Sequence, residues 1–194
     1  MSTKSSTEHL VQNKTRSNLL KWIIPLILIL GALGIWIALR AASRTPTTTA
    51  QTGVEVGDIA SDFSVTTLDD AKFTLSEGRG KPTIILFTAY WCTDCFPKAQ
   101  KLGQLYQEYN GRVNILALDI DPTSTPELLD RFKQAAGNGA FVWAFDSGSK
   151  AATTYRVTST GTTIMIDNKG RIVYRGGFPT SYAALKGELE KLIQ

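Results

Sequence analysis

Cys92 and Cys95 are the only cysteines among the 194 residues, and just two residues separate them. Two thiols at this spacing can close a disulfide and exchange it with another. They can also hold a soft metal ion or form an inert bridge. Exchange requires that the first sulfur ionise near neutral pH and that the second lie within bonding reach. A tetrahedral zinc site needs four ligands. No third cysteine exists, and the single histidine, His9, lies far upstream. An inert bridge across so short a loop would restrain the unfolded chain little. The alternative from another class is a Cu(I)-binding or metallochaperone module using the same two thiolates. Met165, the nearest candidate for a further soft ligand, falls on a predicted buried strand.

The elements around the pair decide what it can do. Thr83-Ile-Ile-Leu-Phe87 is an apolar run rich in β-branched residues, which predicts a buried strand leading in. Ala99, Leu102, Leu105, Tyr106 and Tyr109 recur at spacings of three and four, which predicts a helix leading out. The pair therefore sits where a strand hands over to a helix. Amides at a helix start lack intrahelical partners and carry partial positive charge, which favours a thiolate over a thiol.

The net charge of +4 does not describe the part of the chain that holds this pair. Residues 1–21 carry +3, Arg40 and Arg44 add two, and residues 45–194 carry −1. The basic residues flank an apolar segment, and no basic patch interleaved with aromatics suggests nucleic acid. Residues 1–21 are polar and Ser/Thr/Lys-rich, which predicts a disordered cytoplasmic tail. Trp22–Leu39 is an uncharged run of 18 residues, bracketed by Lys21 and Arg40 with Trp22 and Trp36 near its ends. As a helix it would span about 27 Å, the thickness of a bilayer core, which predicts a single transmembrane anchor. Arg40 stands where a cleaved leader would carry small residues. Four basic residues precede the span and two follow it, so the N-terminus is expected inside and the rest of the chain outside, at the cell membrane. Residues 40–53 read as a polar linker, and residues 54–194 as one globular domain.

Within that domain, Phe63–Leu68 and Phe73–Leu75 predict a hairpin. Val113–Leu118 predicts a second buried strand, and Thr125-Pro126-Glu127 opens a helix reaching Ala136. Phe141–Phe145 reads as a short strand, Ser149–Tyr155 as a short helix, and Thr162–Ile166 with Arg171–Tyr174 as a second hairpin. Ser181–Ile193 closes the chain as an amphipathic helix. Such alternation predicts an α/β fold, a central mixed sheet with helices on both faces and an added N-terminal hairpin.

Gly57-Asp-Ile-Ala-Ser-Asp-Phe63, Leu75-Ser76, Arg79-Gly-Lys-Pro82, Trp91-Cys92-x-x-Cys95, Tyr155-Arg-Val157 and Thr162-Thr-Ile-Met-Ile-Asp167-x-x-Gly170 together resemble the membrane-anchored thioredoxin-like thiol–disulfide oxidoreductases (TlpA/ResA-like, in the redoxin family). The resemblance covers roughly residues 54–194. It implies a thioredoxin fold and dithiol–disulfide exchange with protein thiols and disulfides outside the cytoplasm. The partners it suggests are apocytochrome c, in cytochrome c maturation, and a membrane electron donor. No cofactor and no metal is implied. Cys92 would be the exposed nucleophile and Cys95 the buried resolving sulfur. Trp91 would shape the docking rim, and Thr160 and Gly161 would form the loop facing the dithiol, where partners bind.

The chain departs from the family pattern at three places, and from thioredoxins at a fourth. Gly161 stands where the family has a cis-proline, and Lys98 where many cytochrome-type members have glutamate. Gln100 replaces a helix-kinking proline, with Pro97 nearby, so either the first helical turn is distorted or the helix starts near Phe96 with Pro97 in its first turn. Leu86 occupies the place of the carboxylate that thioredoxins bury under the dithiol. The Pro-x-x-x-Thr-x-x-Cys pattern of the related peroxidases is absent.

Overall fold

The structure is a computed structural model, and it describes Gly31, Leu33–Trp36, residues 51–177 and residues 181–193. The chain divides into two units, Met1–Thr49 and Ala50–Gln194. In the first, the described residues are helical and exposed. The rest of the predicted tail, anchor and linker up to Ala50 lies outside the described residues, and no described helix is long and apolar enough to cross a membrane.

The second unit is organised around a strand, β5 (Thr83–Thr88), whose six residues are all buried. Its β-branched residues favour extended backbone and its uninterrupted apolar run suits a strand covered on both faces. Before it come β1 (Thr52–Gly53) and β2 (Ile59–Ala60), a short parallel pair that the sequence pattern does not reveal. They are followed by β3 (Ser64–Thr67) and β4 (Lys72–Thr74), the expected antiparallel hairpin. After β5 come α1 (Phe96–Tyr109), β6 (Asn114–Asp119), α2 (Pro126–Ala135), β7 (Val142–Phe145), α3 (Lys150–Thr154), β8 (Thr162–Ile166), β9 (Ile172–Gly177) and α4 (Tyr182–Ile193). The main sheet is mixed and runs β4-β3-β7-β6-β5-β8-β9. β5, β6 and β7 are parallel to one another, while β8 is antiparallel to β5.

Alternation along β5 divides the core in two. Ile84 and Leu86 point into one cluster with Leu102 and Leu105 of α1, Leu129 of α2 and Leu185 of α4. Ile85 and Phe87 point into the other, with Ile164, Tyr155 and Ala151. Each of these leucine, isoleucine and phenylalanine side chains, fully buried, is worth about 1.5–3 kcal/mol in transfer free energy. Helices thus cover both faces, as the sequence pattern predicts. β6 begins and ends one residue later than expected, because Asp119 pairs with Thr88 in the last rung of the ladder. Hydropathy drops at Asp119, although the backbone hydrogen bonding does not.

Candidate active site

At the carboxyl end of β5 the chain turns sharply. The Cys92 amide donates to the Ala89 carbonyl (2.9 Å), and the Cys95 amide to the Cys92 carbonyl (3.0 Å). A single 3₁₀ turn, Thr93–Cys95, separates strand from helix, so the handover is less direct than the sequence suggests. Cys92 caps that turn and Cys95 caps α1, with Pro97 in the first helical turn, where its missing N–H goes unneeded. The helix starts at Phe96, the second of the two alternatives that Pro97 leaves open. The two sulfurs are joined, with S–S 2.00 Å and Cα–Cα 5.3 Å. Among the described residues no group of three or more His, Cys, Asp or Glu is arranged to hold a metal ion.

Cys95 is fully buried and Cys92 is 6% exposed. The order is the expected one, but the expectation of a well-exposed Cys92 needs correction. Bonded to a sulfur inside the core, Cys92 belongs to the apolar cluster that contains Ala89, Ala99 and Leu102. Only a sliver of Cys92 reaches solvent. Of the two cysteines, only Cys92 keeps any exposed surface. The surface around it is formed by Trp91, 57% exposed, and by exposed Thr93 and Asp94.

The loop after β6 braces this turn. Asp119 is 1% exposed, and its carboxylate accepts from the Tyr90 amide (3.1 Å), the Asp121 amide (2.9 Å) and the Ser124 hydroxyl (2.7 Å). Burial pushes its carboxyl above the usual range, against the pull of those three hydrogen bonds. Asp121 accepts from the Thr123 amide (2.7 Å), the Thr123 hydroxyl (2.6 Å) and the Trp91 indole N–H. The Thr123 hydroxyl, then the indole, hold its carboxyl below the usual range. Sequence reasoning passed over both aspartates. The available signal was a carboxylate closing a strand otherwise apolar, Ile115-Leu-Ala-Leu-Asp119. Leu86, fully buried, gives the cluster an apolar floor, as expected.

Thr160 and Gly161 lie immediately before β8, at the height of Phe87. The Gly161 amide donates to the Phe87 carbonyl (2.7 Å), which ties the loop to the strand that delivers the dithiol. Gly161 has φ +81, a left-handed conformation in which glycine avoids the steric cost of a Cβ. Among the described residues there is no cis peptide. Thr160 is half-buried, and no hydrogen bond among the described residues engages its amide or carbonyl. The structure thus brings Cys92, Cys95 and Trp91 together at the end of β5, and ties Gly161 to that same strand.

The arrangement can do dithiol chemistry: a bonded pair at the start of α1, one cysteine reaching the surface and the other sheltered. The comparisons with known proteins agree. A model of the AhpC/TSA family matches residues 56–175. The chain is 31% identical over 140 residues to the thiol-disulfide oxidoreductase ResA of Bacillus anthracis, covering 72% of this chain and 79% of that protein. It is 29% identical over 154 residues to the thioredoxin-like protein YneN of Bacillus subtilis, covering 78% and 86%. Among solved structures, a putative thiol:disulfide interchange protein DsbE from Chlorobium tepidum superposes with a TM-score of 0.65 at 22% identity, over 73% of this chain and 100% of that one. That likeness establishes the thioredoxin-like fold. The chain belongs to the AhpC/TSA redoxin family and is a ResA-like thiol–disulfide oxidoreductase.

Proposed function

We propose that this chain works as a reductase of protein disulfides outside the cytoplasm, tethered by residues 22–39 with its N-terminus in the cytoplasm. The observation that carries the redox part is the asymmetry of the dithiol: Cys92 keeps 6% of its surface and Cys95 none. In the reduced enzyme the Cys92 thiolate attacks one sulfur of a partner disulfide. An S–S bond forms to Cys92, the partner's own bond breaks, and its second sulfur leaves as a thiolate that takes up a proton. Cys95, having lost its proton, then attacks the Cys92 sulfur. This re-forms Cys92–Cys95 and releases the partner's first sulfur as a thiol. Two electrons pass to the partner, and a membrane-bound dithiol donor restores the enzyme.

The anchor rests on the uncharged run and its basic flanks. The ResA-like kinship makes apocytochrome c, whose two cysteines must be reduced before haem attachment, the partner to test. Thr160 would offer main-chain hydrogen bonds to an extended partner segment, with Trp91 as the apolar rim.

Insulin reduction by the full chain tests the reading. Wild type is expected to reduce it and Cys92→Ser to lose essentially all activity, while Cys95→Ser accumulates the mixed disulfide. Equal activity of the Cys92→Ser variant would remove Cys92 as nucleophile. A reduction potential far above about −270 mV, the thioredoxin value, would reverse the direction of electron flow.

A further inference from the structure

Gly161 lacks more than a ring. A Cβ built on it would run into Nζ of Lys98, and would come within 3.6 Å of Cε and 3.9 Å of Cδ. The lysine side chain therefore leaves the first turn of α1, one turn beyond Cys95, and ends against the main chain of Gly161. Gly161 is itself fastened to Phe87, five residues before Cys92. The side chain thus runs from α1 to the loop before β8, through space that any other residue at 161 would fill with its own Cβ. Lys98 is half-buried, and neither a hydrogen bond nor an ion pair commits its ammonium among the described residues.

We propose that Lys98 is a positioning residue of the dithiol: seated in the space left by the missing side chain of Gly161, its ammonium keeps the Cys92 sulfur anionic. The lysine at 98 and the glycine at 161 are then one device. A half-buried ammonium with no carboxylate partner among the described residues stabilises a nearby anion more than a fully solvated lysine would. The other charges around the dithiol are Asp94 in the turn itself, Lys101 further along α1, and Asp119 and Asp121 on the loop after β6. Asp94 and the two loop aspartates oppose a thiolate. Asp121 is already engaged by Trp91 and Thr123, and Asp119 by three donors.

The inference rests on Cys92 being the attacking sulfur, and the experiment separates the two. The full chain is reduced, and the rate of alkylation by iodoacetamide is followed against pH. Loss of the fast phase in Cys92→Ser identifies Cys92 as the reactive sulfur; persistence of that phase overturns the nucleophile assignment, whatever Lys98 does. With Cys92 identified, Lys98→Met is expected to move the midpoint of the profile up by about one unit, within the range for removal of an adjacent charge. Below that midpoint the thiolate fraction falls about tenfold, while each thiolate becomes about threefold more nucleophilic, so the alkylation rate falls about threefold. Lys98→Arg is expected to restore most of the midpoint.

Gly161→Ala is expected to shift the midpoint in the same direction, because its Cβ evicts the ammonium. It should add no further shift in the Lys98→Met background. An unmoved midpoint in Lys98→Met overturns the proposal, as does a Gly161→Ala shift of full size in that background, which belongs to backbone strain alone. Unchanged far-ultraviolet circular dichroism in each variant shows that the fold survives and the midpoints are comparable.

Discussion

Two loops flank the dithiol, and they are built oppositely. The loop after β6 is knitted to the active-site turn by side chains: Asp119 takes three donors, and Asp121 takes the Trp91 indole together with both donors of Thr123. The loop before β8 is tied to the same strand by one main-chain bond, from Gly161 to Phe87, while the main chain of Thr160 stays uncommitted among the described residues. One loop fixes where the cysteines are. The other is held by far less, and its glycine is covered by the side chain of Lys98. A thiol-exchange enzyme needs both, since the attacking sulfur must be held still while its partners vary.

Breaking the braced loop should have the larger effect on stability. Asp119→Ala leaves three donors, in a mostly buried site, without their acceptor. At about 1–3 kcal/mol for each unsatisfied group, and with Ser124 free to turn toward solvent, a loss of about 3 kcal/mol is expected in denaturant unfolding. A loss under about 0.5 kcal/mol would mean that the brace contributes nothing. Asp119→Asn isolates the charge. The carboxyl is raised in the folded state, so its contribution is fully present below the ordinary aspartate value of about 3.9 and declines as pH rises through the raised value. The stability of Asp119→Asn relative to wild type should therefore improve as pH climbs from acid to neutral. A difference that does not vary with pH would show that Asp119 titrates as an ordinary aspartate.

The open loop should be more tolerant. Gly161→Ala places a Cβ at φ +81, which costs about 1–2 kcal/mol. The collision with Lys98 adds little to stability, because the end of a lysine swings aside easily. A loss well above this range, measured by the same unfolding, would mean that the loop is as rigid as its counterpart.

This contrast also explains what was legible in the sequence. The dithiol, its strand and its helix follow from hydrophobic period and cysteine spacing, which are local signals. Thr125 as the cap of α2 could be read for the same reason, and its hydroxyl does accept from the Leu128 amide at 3.4 Å. The brace could not be read. Asp119 and Tyr90 stand 29 residues apart and meet only because β5 and β6 pair in one register. The short β1–β2 pair escaped because two-residue strands carry no periodicity. Cys92 was expected to be exposed because a nucleophile must be reached. The covalent bond to a buried Cys95, among apolar neighbours, leaves it only 6%. Gly161 was legible as a departure from the family, but its contact with Lys98 required coordinates.

The finest test of the contrast lies at the rim, where the braced loop touches the surface a partner would meet. Trp91 is 57% exposed, so little apolar burial holds its ring, and the indole bond to Asp121 is what fixes its orientation. Asp121→Asn keeps an oxygen for one donor but loses the charge that strengthens both the indole and Thr123 bonds. Global stability should barely change, while kcat/KM for insulin should fall by about twofold to threefold through KM, since a partner then has to order the ring itself. The carboxyl of Asp121 is depressed in the folded state, so what it contributes is present above the ordinary aspartate value and fades as pH falls through the lowered one. The small stability difference between wild type and Asp121→Asn should therefore vanish in acid, as read by denaturant unfolding. A fall in kcat with KM unchanged would place Trp91 in the exchange step instead of at the docking rim.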